Sequence, residues 1–294
     1  MKKSWIILKK IFFWIFILHI SWFLFFIVQK FSVAGFAIEN LKTKMLIVCG
    51  VIILTGLVYY FWLRKIAVVK KTAVILKEIF FIGYITSTLY LLLGTVFNPP
   101  ITLTQAGSII QGNGLSRDNI SYDEMGPNIK LAVIASEDQL FPDHDGFDLK
   151  AIKGAMKYNA KHTTKRKGGS TISQQTAKNV FLYQGGGFLR KGIEVFFTFS
   201  IEKVWTKRTI LERYLNVAET GQGVFGVQAA AKKYFNKDAK GLTRLEAAQI
   251  AACLPSPKRL KVKPLSNYVA SRANAIVRQM NNLAGDADVQ ALIK

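Results

Sequence analysis

The sequence contains few cysteines and few histidines. Its two cysteines are Cys49, inside a long apolar run, and Cys253, which follows an ordinary globular stretch, so we expect them not to pair in a disulfide. The three histidines, His19, His144 and His162, show neither an HExxH pattern nor Cys/His ligand spacing. This scarcity argues against a disulfide-stabilised domain and against a zinc site.

Charged residues are absent from three long runs near the N-terminus. These runs cover residues 11–28, 45–63 and 79–97, and each has about the 18–25 residues that a helix needs to cross roughly 30 Å of hydrocarbon. A cleaved signal peptide would have a shorter apolar core and a small-residue cleavage site. The sequence therefore predicts a membrane region over residues 1–100, with three transmembrane helices, and a second domain over residues 101–294.

Lysine and arginine flanking the three runs predict their orientation. Basic residues are dense before the first run and between the second and third, and the loop between the first and second has fewer. The positive-inside rule then places the N-terminus in the cytoplasm and residues 101–294 on the extracytoplasmic side of the membrane. An alternative stays open: if one run, most plausibly the second, is re-entrant or buried, the second domain would be cytoplasmic.

Acidic residues are also scarce, with 18 Asp and Glu against 40 Lys and Arg. Residues 101–294 alone hold 28 basic and 16 acidic residues. This excess predicts an anionic partner, either lipid headgroups or a phosphate-bearing substrate. The extracytoplasmic placement argues against nucleic acid.

Helical periodicity dominates the second domain. Apolar residues recur at helical spacing from Gly192 onward, continue after a candidate cap at Thr206, and return at residues 227–234 and 244–253. No run alternates long enough to predict a strand. The fold class that follows is all-α.

An acidic cluster, SEDQLFPDHDGFD at residues 136–148, is unusual in so basic a chain. The cluster is not an EF-hand calcium loop, because the glycine and glutamate spacing of that loop is not met. A solvated acidic turn is the ordinary alternative. Glu137, however, directly follows the apolar residues 131–135, where desolvation would raise its pKa. That environment suits a general base.

Two further clusters carry polar residues at helical spacing. In KGGSTISQQTAKN, residues 167–179, Ser170 or Thr171 can cap a helix on which Gln174 and Lys178 share one face, which suits an anion site. In RKGIE, residues 190–194, Arg190 and Glu194 lie one helical turn apart. Taken singly, GGST is a weak signal for phosphate contact, and a surface ion pair is the preferred explanation of RKGIE.

Together, the three clusters resemble the peptidoglycan glycosyltransferases of glycosyltransferase family 51, and within them the monofunctional biosynthetic transglycosylases. EDxxFxxHxGxD matches residues 137–148, GGSTITQQxxKN matches 168–179 with serine at 173 for threonine, and RKxxE matches 190–194. TKRTILERYLN, residues 206–216, and two later segments continue the similarity to about residue 260. The resemblance implies a lysozyme-like helical domain that polymerises lipid II with inversion and releases undecaprenyl pyrophosphate.

The resemblance also implies residue roles. Glu137 would be the catalytic base, and Glu194 a second essential carboxylate that orients cations, binds a divalent metal or assists departure of the leaving group. No cofactor is expected to be required, although Mg²⁺ or Mn²⁺ near Glu194 stays open. The residues expected to bind substrate or pyrophosphate are Ser170, Thr171, Gln174, Lys178, Arg190 and Lys191. Those expected to shape the loop after Glu137 are Asp138, Phe141, His144 and Gly146.

The chain departs from the family in two features. An arginine that relatives often carry before Arg190 is missing near Gly186, so either a neighbour such as Arg166 or Lys191 supplies that charge or the donor phosphate is held less tightly. Relatives also typically have one membrane anchor rather than three. Residues 151–167 are basic and are candidates for contact with lipid headgroups.

The same residues indicate the partners of the chain and leave two other functions open. Expected partners are lipid II, the growing strand, the membrane and a separate transpeptidase, because the KTG motif of the family's bifunctional members is absent and only some thirty residues follow Pro257. A lytic glycosidase would share the helical lobe but would not need the cationic motifs. A non-catalytic scaffold would need none of the carboxylates.

Overall fold

The computed structural model describes residues 2–33, 41–162 and 167–294. The chain forms two compact units, Met1–Tyr90 and Leu91–Lys294. Helices dominate both units, which confirms the all-α prediction. Lys165 and Arg166, two of the predicted basic residues, lie outside the described residues.

The first unit is built from long apolar helices: α1 (Lys2–Val33), α2 (Leu41–Phe61) and most of α3 (Ala67–Leu93). Within the described residues, two segments are long and apolar enough to cross a membrane, Trp5–Lys30 and Ala67–Leu93. The aromatic rings of Phe16 and Tyr84, from α1 and α3, meet edge to face with their centroids 5.0 Å apart.

The predicted bounds of the third run were wrong. Helix α3 begins at Ala67 and ends at Leu93, whereas the apolar run suggested residues 79–97. The basic residues at 70, 71 and 77, expected in a loop, form the first turns of this helix, because lysine is a good helix former that interrupts hydropathy but not helical structure. The connection between α2 and α3 contains one 3₁₀ turn, Leu63–Lys65.

The second unit contains ten further helices and a small sheet in the described ranges. The helices are α4 (Leu103–Ile110), α5 (Pro127–Glu137), α6 (Leu149–Lys161), α7 (Ile172–Phe181), α8 (Phe188–Val204), α9 (Lys207–Val217), α10 (Val227–Phe235), α11 (Arg244–Cys253), α12 (Asn267–Asn282) and α13 (Ala287–Ile293). The strands are β1 (Ser116–Arg117), β2 (Glu219–Gly221) and β3 (Val224–Phe225).

The sheet was not predicted. Its order is β1-β3-β2, with β3 parallel to β1 and antiparallel to β2. Strands of two or three residues are too short to show an alternating pattern, so periodicity could not reveal them. The sheet directs Glu219, at the start of β2, toward the site described below.

Helix α5 lies at the centre of the core, because seven consecutive residues from Ile129 to Ala135 are buried. An all-round buried helix of this kind must be enclosed by other elements, and α11, α12 and α13 pack against it. Helix α7 packs between α8 and α9. These contacts bring the end of α5 beside the first turns of α7 and α8.

Candidate active site

Glu137 is the last residue of α5, where the apolar helix reaches the surface of the core. Its Oε2 accepts a hydrogen bond of 2.8 Å from Nε2 of Gln175 on α7. Its Oε1 is buried and has no hydrogen-bond partner among the described residues. Burial is the main reason that the pKa of this carboxyl is raised. An unsatisfied buried oxygen is costly in a folded protein unless a ligand completes it.

The loop after Glu137 is held by a carboxylate and an imidazole. The buried Asp138 accepts a 2.9 Å bond from Nε2 of His144 and another of 2.9 Å from the backbone N–H of Ile172. The N–H of Gly146 donates to Nδ1 of the same imidazole over 3.1 Å. A ring nitrogen that accepts carries no proton, so in neutral His144 the proton is on Nε2.

Two further predicted residues belong to this loop. Phe141 is fully buried, with the ammonium group of Lys207 4.7 Å from its ring centroid. Lys207 also donates to the backbone carbonyl of His144. Gly146 adopts a φ of +86°, which side-chain-bearing residues rarely adopt.

Helix α7 begins with a capping box. Thr171 accepts a bond from the N–H of Gln174, whose side chain accepts in turn from the N–H of Thr171. The Thr171 hydroxyl also donates to the carbonyl of Gly146 over 2.7 Å. Of the two candidate caps, Ser170 and Thr171, it is therefore Thr171 that caps the helix. These bonds occupy side-chain atoms of Thr171 and Gln174, which were predicted to bind substrate. Ser170, one residue earlier, is exposed.

Three cations surround one carboxylate at the start of α8. Both oxygens of Glu194, which is 3 % exposed, accept hydrogen bonds, from Arg190 at 2.8 Å and from Lys191. Lys178 of α7 lines the same cavity, of about 290 Å³, together with Glu137 and Ser170. Burial is the main reason that the pKa of Lys178 is lowered, while the charge of Glu194 acts in the opposite direction. Three cations against one paired carboxylate favour an anionic ligand.

Two more cavities flank this one. A cavity of about 350 Å³ lies on one side and shares Glu137 and Ser170 with it. Another, of about 380 Å³, lies on the other side and shares Gln175 and Lys178. Glu219 and Lys258 belong to the second of these. The three cavities form a continuous set of depressions with Glu137 and Lys178 at its centre.

Gln175, Tyr214 and Glu219 line this cleft but were missed by sequence reasoning. Tyr214 donates a 3.1 Å hydrogen bond to Oε1 of Gln175. The pKa of Glu219 is raised, mainly by burial. Gln175 directly follows the predicted Gln174 in the sequence. The two side chains differ in the direction in which they leave helix α7. Tyr214 belongs to the matched segment TKRTILERYLN but was given no role, and Glu219 follows that segment.

Glu194, where a divalent metal stays open, is surrounded by cationic groups. Both of its oxygens are already bonded to cationic groups, which would repel a second positive charge. Within residues 2–33, 41–162 and 167–294, no group of three or more His, Cys, Asp or Glu side chains could hold a metal ion. The cationic cluster is suited to an anion instead.

The segment that lacks the expected arginine, residues 185–187, lies between α7 and α8. All three glycines are exposed, and a Cβ built on Gly186 would meet no atom within 4 Å. Lys191, one of the proposed substitutes, is bonded to Glu194. The other, Arg166, is among the residues that the structure does not describe.

A helical domain whose cleft combines a buried carboxylate with a cationic cluster is typical of an enzyme that acts on a phosphorylated substrate. The transglycosylase family model matches residues 104–281. Proteins named biosynthetic peptidoglycan transglycosylase, from Yersinia pseudotuberculosis serotype O:3 (strain YPIII) and Yersinia pestis (strain Pestoides F), are each 53% identical over 173 residues, covering 59% of this chain and 72% of each relative. The chain belongs to the transglycosylase family and is a peptidoglycan glycosyltransferase.

Proposed function

We propose that the enzyme polymerises lipid II into glycan strands, with Glu137 as general base and the cationic cluster of Lys178, Arg190 and Lys191 holding the leaving pyrophosphate. The observation that carries the proposal is the shared cavity. The carboxylate with an unpartnered oxygen and the three cations line one space of about 290 Å³. A base and an anion site in one cavity are what a glycosyl transfer from a phosphorylated donor requires.

In the first part of the reaction, Glu137 removes the proton from the 4-hydroxyl of the acceptor's N-acetylglucosamine. That oxygen attacks the anomeric carbon of the N-acetylmuramic acid at the reducing end of the growing strand. The bond from this carbon to the pyrophosphate oxygen breaks, and the configuration changes from α to β. The raised pKa of Glu137 supports this role, because a base accepts a proton best when its pKa lies near the working pH.

In the second part, the departing pyrophosphate gains negative charge, which preorganised cations stabilise better than water does. Arg190 and Lys191 are held in place by Glu194, and Lys178 approaches from α7. We infer that Glu194 acts by orienting these cations rather than by touching the substrate. Undecaprenyl pyrophosphate then leaves, carrying the electrons of the broken bond.

Substrate positions follow from the arrangement of the cavities. The acceptor lipid II would occupy the cavity of about 350 Å³ that shares Glu137 and Ser170 with the central one. The growing strand would run along the cavity lined by Glu219 and Lys258. We propose that Lys178, Arg190 and Lys191 neutralise the pyrophosphate.

The setting of the reaction is also a proposal. Spanning helices with basic flanks would tether the enzyme to the inner membrane as a multi-pass protein, with residues 101–294 outside the cytoplasm. Lipid II presented on that face would then reach the cleft. Cross-linking of the strands would come from a separate transpeptidase.

The test is incubation of the purified full chain with lipid II in detergent micelles. Formation of a glycan polymer with release of undecaprenyl pyrophosphate is the expected result. Cleavage of finished glycan strands instead would indicate a lytic glycosidase, and no reaction with either substrate would indicate a scaffold. Either of these last two results would contradict the proposal.

A further inference from the structure

Two side-chain hydrogen bonds in series connect Glu137 to Gln175 and Gln175 to Tyr214. Nε2 of Gln175 donates to Oε2 of Glu137 over 2.8 Å, and the hydroxyl of Tyr214 donates to Oε1 of Gln175 over 3.1 Å. The three residues come from α5, α7 and α9 and are 38 and 39 positions apart in sequence. Neither Gln175 nor Tyr214 has a role in the steps described above.

The direction of these bonds depends on the proton of Tyr214. The side chain is only 1 % exposed, and the pKa of its hydroxyl is raised well above the ordinary value by burial and by the negative charges of Glu137 and Asp138. A hydroxyl that keeps its proton can donate to the carbonyl end of an amide. The amide of Gln175 must then turn its NH₂ group toward Glu137.

We propose that Tyr214 is a positioning residue that locks the amide of Gln175 in the orientation that donates a hydrogen bond to Glu137. The proposal rests on Glu137 being the base of the proposed reaction. Without the Tyr214 hydroxyl, the amide can flip by 180° and present its carbonyl oxygen to the carboxylate. Two oxygens with partial or full negative charge would then face each other, which disfavours the ionised base.

The fixed orientation of the Gln175 amide also determines which oxygen of Glu137 reacts. The bond from Gln175 occupies Oε2 and leaves Oε1 as the oxygen without a partner in the described part of the chain. Oε1 therefore keeps its lone pairs free to take the acceptor's proton, once substrate binding uncovers this buried atom. A flipped amide would remove this distinction and allow the carboxyl group to rotate or to take up a proton.

Several groups set the proton affinity of Glu137 together. Burial raises its pKa, the bond from Gln175 and the nearby Ser136 hydroxyl lower it, the charge of Arg272 lowers it and that of Asp138 raises it. Charged or titratable groups also face it from the neighbouring helices: Lys178 of α7, Tyr214 of α9, and Arg190, Lys191 and Glu194 of α8, which line the same cavity. Tyr214→Phe leaves all of these charges in place, so its effect reports the orientation of the amide.

The experiment is the pH dependence of kcat/KM for lipid II polymerisation by the full chain. For Tyr214→Phe we expect the acidic limb of the profile to move to higher pH, because the protonated base becomes more favourable. We also expect kcat at neutral pH to fall on the order of tenfold, less than the roughly 10²–10⁴-fold loss that removal of a general base causes. The KM for lipid II should stay unchanged.

Tyr122→Phe is the matched control. Tyr122 is a buried tyrosine whose hydroxyl donates to the backbone carbonyl of Leu292. Its loss should lower the melting temperature and leave the acidic limb in place. If Tyr214→Phe lowers the melting temperature to a similar extent and also leaves the limb in place, Tyr214 has only a structural role and the proposal is wrong.

A double-variant comparison separates the lock from other effects. In a Gln175→Met background, which has no amide to orient, Tyr214→Phe should cause no further movement of the limb. A full additional shift would contradict the proposal. Glu137→Gln separates failure of the proposed base from failure of the Tyr214 lock. Wild-type turnover by Glu137→Gln would contradict the assignment of Glu137 as the base. An inactive Glu137→Gln, together with an acidic limb that does not move in Tyr214→Phe, would contradict the lock alone.

Discussion

At the scale of single residues, Gly146 is the clearest case of a position that tolerates one amino acid. Its φ is +86°, and a Cβ there would lie 2.8 Å from Cγ of Glu202 and 2.9 Å from Cγ2 of Thr198. The same residue bonds to His144 and Thr171 through its N–H and its carbonyl. Any side chain at position 146 would therefore strain the backbone and crowd its neighbours, and it would do so in the loop that follows the base.

Gly146→Ala should lower the free energy of unfolding by about 1–3 kcal/mol, because alanine must be held in an unfavourable backbone conformation. Thermal or urea unfolding of the purified protein measures this. Gly154→Ala is the matched control, since Gly154 lies within α6 with no atom within 4 Å of the added Cβ, and there alanine should stabilise by up to about 1 kcal/mol. Equal unfolding midpoints for the two variants would contradict the strain argument.

Glu137 should itself cost stability when it is ionised. Its folded-state pKa is raised, so the unfolded chain releases this proton first as pH rises, and stability falls from about pH 4.3 upward through the folded-state pKa. Glu137→Gln should therefore melt at a higher temperature than wild type at neutral pH, and the difference should vanish near pH 4. A difference that is independent of pH would show that the ionised carboxylate is not destabilising.

At the scale of elements, the helix starts were the most predictable features. Thr171 and Thr206 cap α7 and α9 as expected, because a side chain that bonds to a backbone N–H a few residues ahead depends only on local sequence. The bonds of Glu137 to Gln175 and of Gln175 to Tyr214 join separate helices. Their formation depends on how α5, α7 and α9 pack, and no spacing rule in the sequence reveals it.

The charge pairs show the same division. Arg190 and Glu194 were predicted to lie one turn apart and do form a 2.8 Å pair. The sequence did not indicate that Glu194 would be buried and would also bond to Lys191. Burial of a carboxylate depends on the tertiary arrangement, which for this helix is its contact with α7.

The connection between α7 and α8 offers a test of the phosphate site. Gly186 is exposed and has open space around it, so an arginine can be added there without displacing other atoms. If this is the position of the missing cation, Gly186→Arg should lower the KM for lipid II by roughly tenfold or more, since a charge-assisted hydrogen bond contributes about 1.5–3 kcal/mol. Gly186→Gln adds a similar length without charge and controls for loss of glycine.

Lys178→Ala completes this test in the native background. With one cation fewer at the site, the variant should lose most of its turnover, because the remaining Arg190 and Lys191 are already paired with Glu194. Steady-state rates at several lipid II concentrations give both parameters. No gain in Gly186→Arg together with a mild Lys178→Ala would mean that another basic residue already neutralises the pyrophosphate.

At the scale of the whole molecule, topology decides whether the cleft can meet its substrate. A reporter enzyme fused after Lys294 should be active only outside the cytoplasm, and one inserted in the 3₁₀ turn Leu63–Lys65 only inside. Paired reporters of opposite compartment preference measure this in cells. Cytoplasmic activity of the C-terminal fusion would mean an even number of crossings and would contradict the proposed access to lipid II.

The most direct test of the account compares lipid II polymerisation by wild type and by Glu137→Gln. The variant keeps the size of the side chain and the cationic cluster, so binding of lipid II, measured separately, should be unchanged. Its turnover should fall by about 10²–10⁴-fold, because the acceptor hydroxyl loses its proton acceptor. Turnover within a few-fold of wild type, in a folded variant that binds lipid II normally, would contradict the assignment of Glu137 as the base.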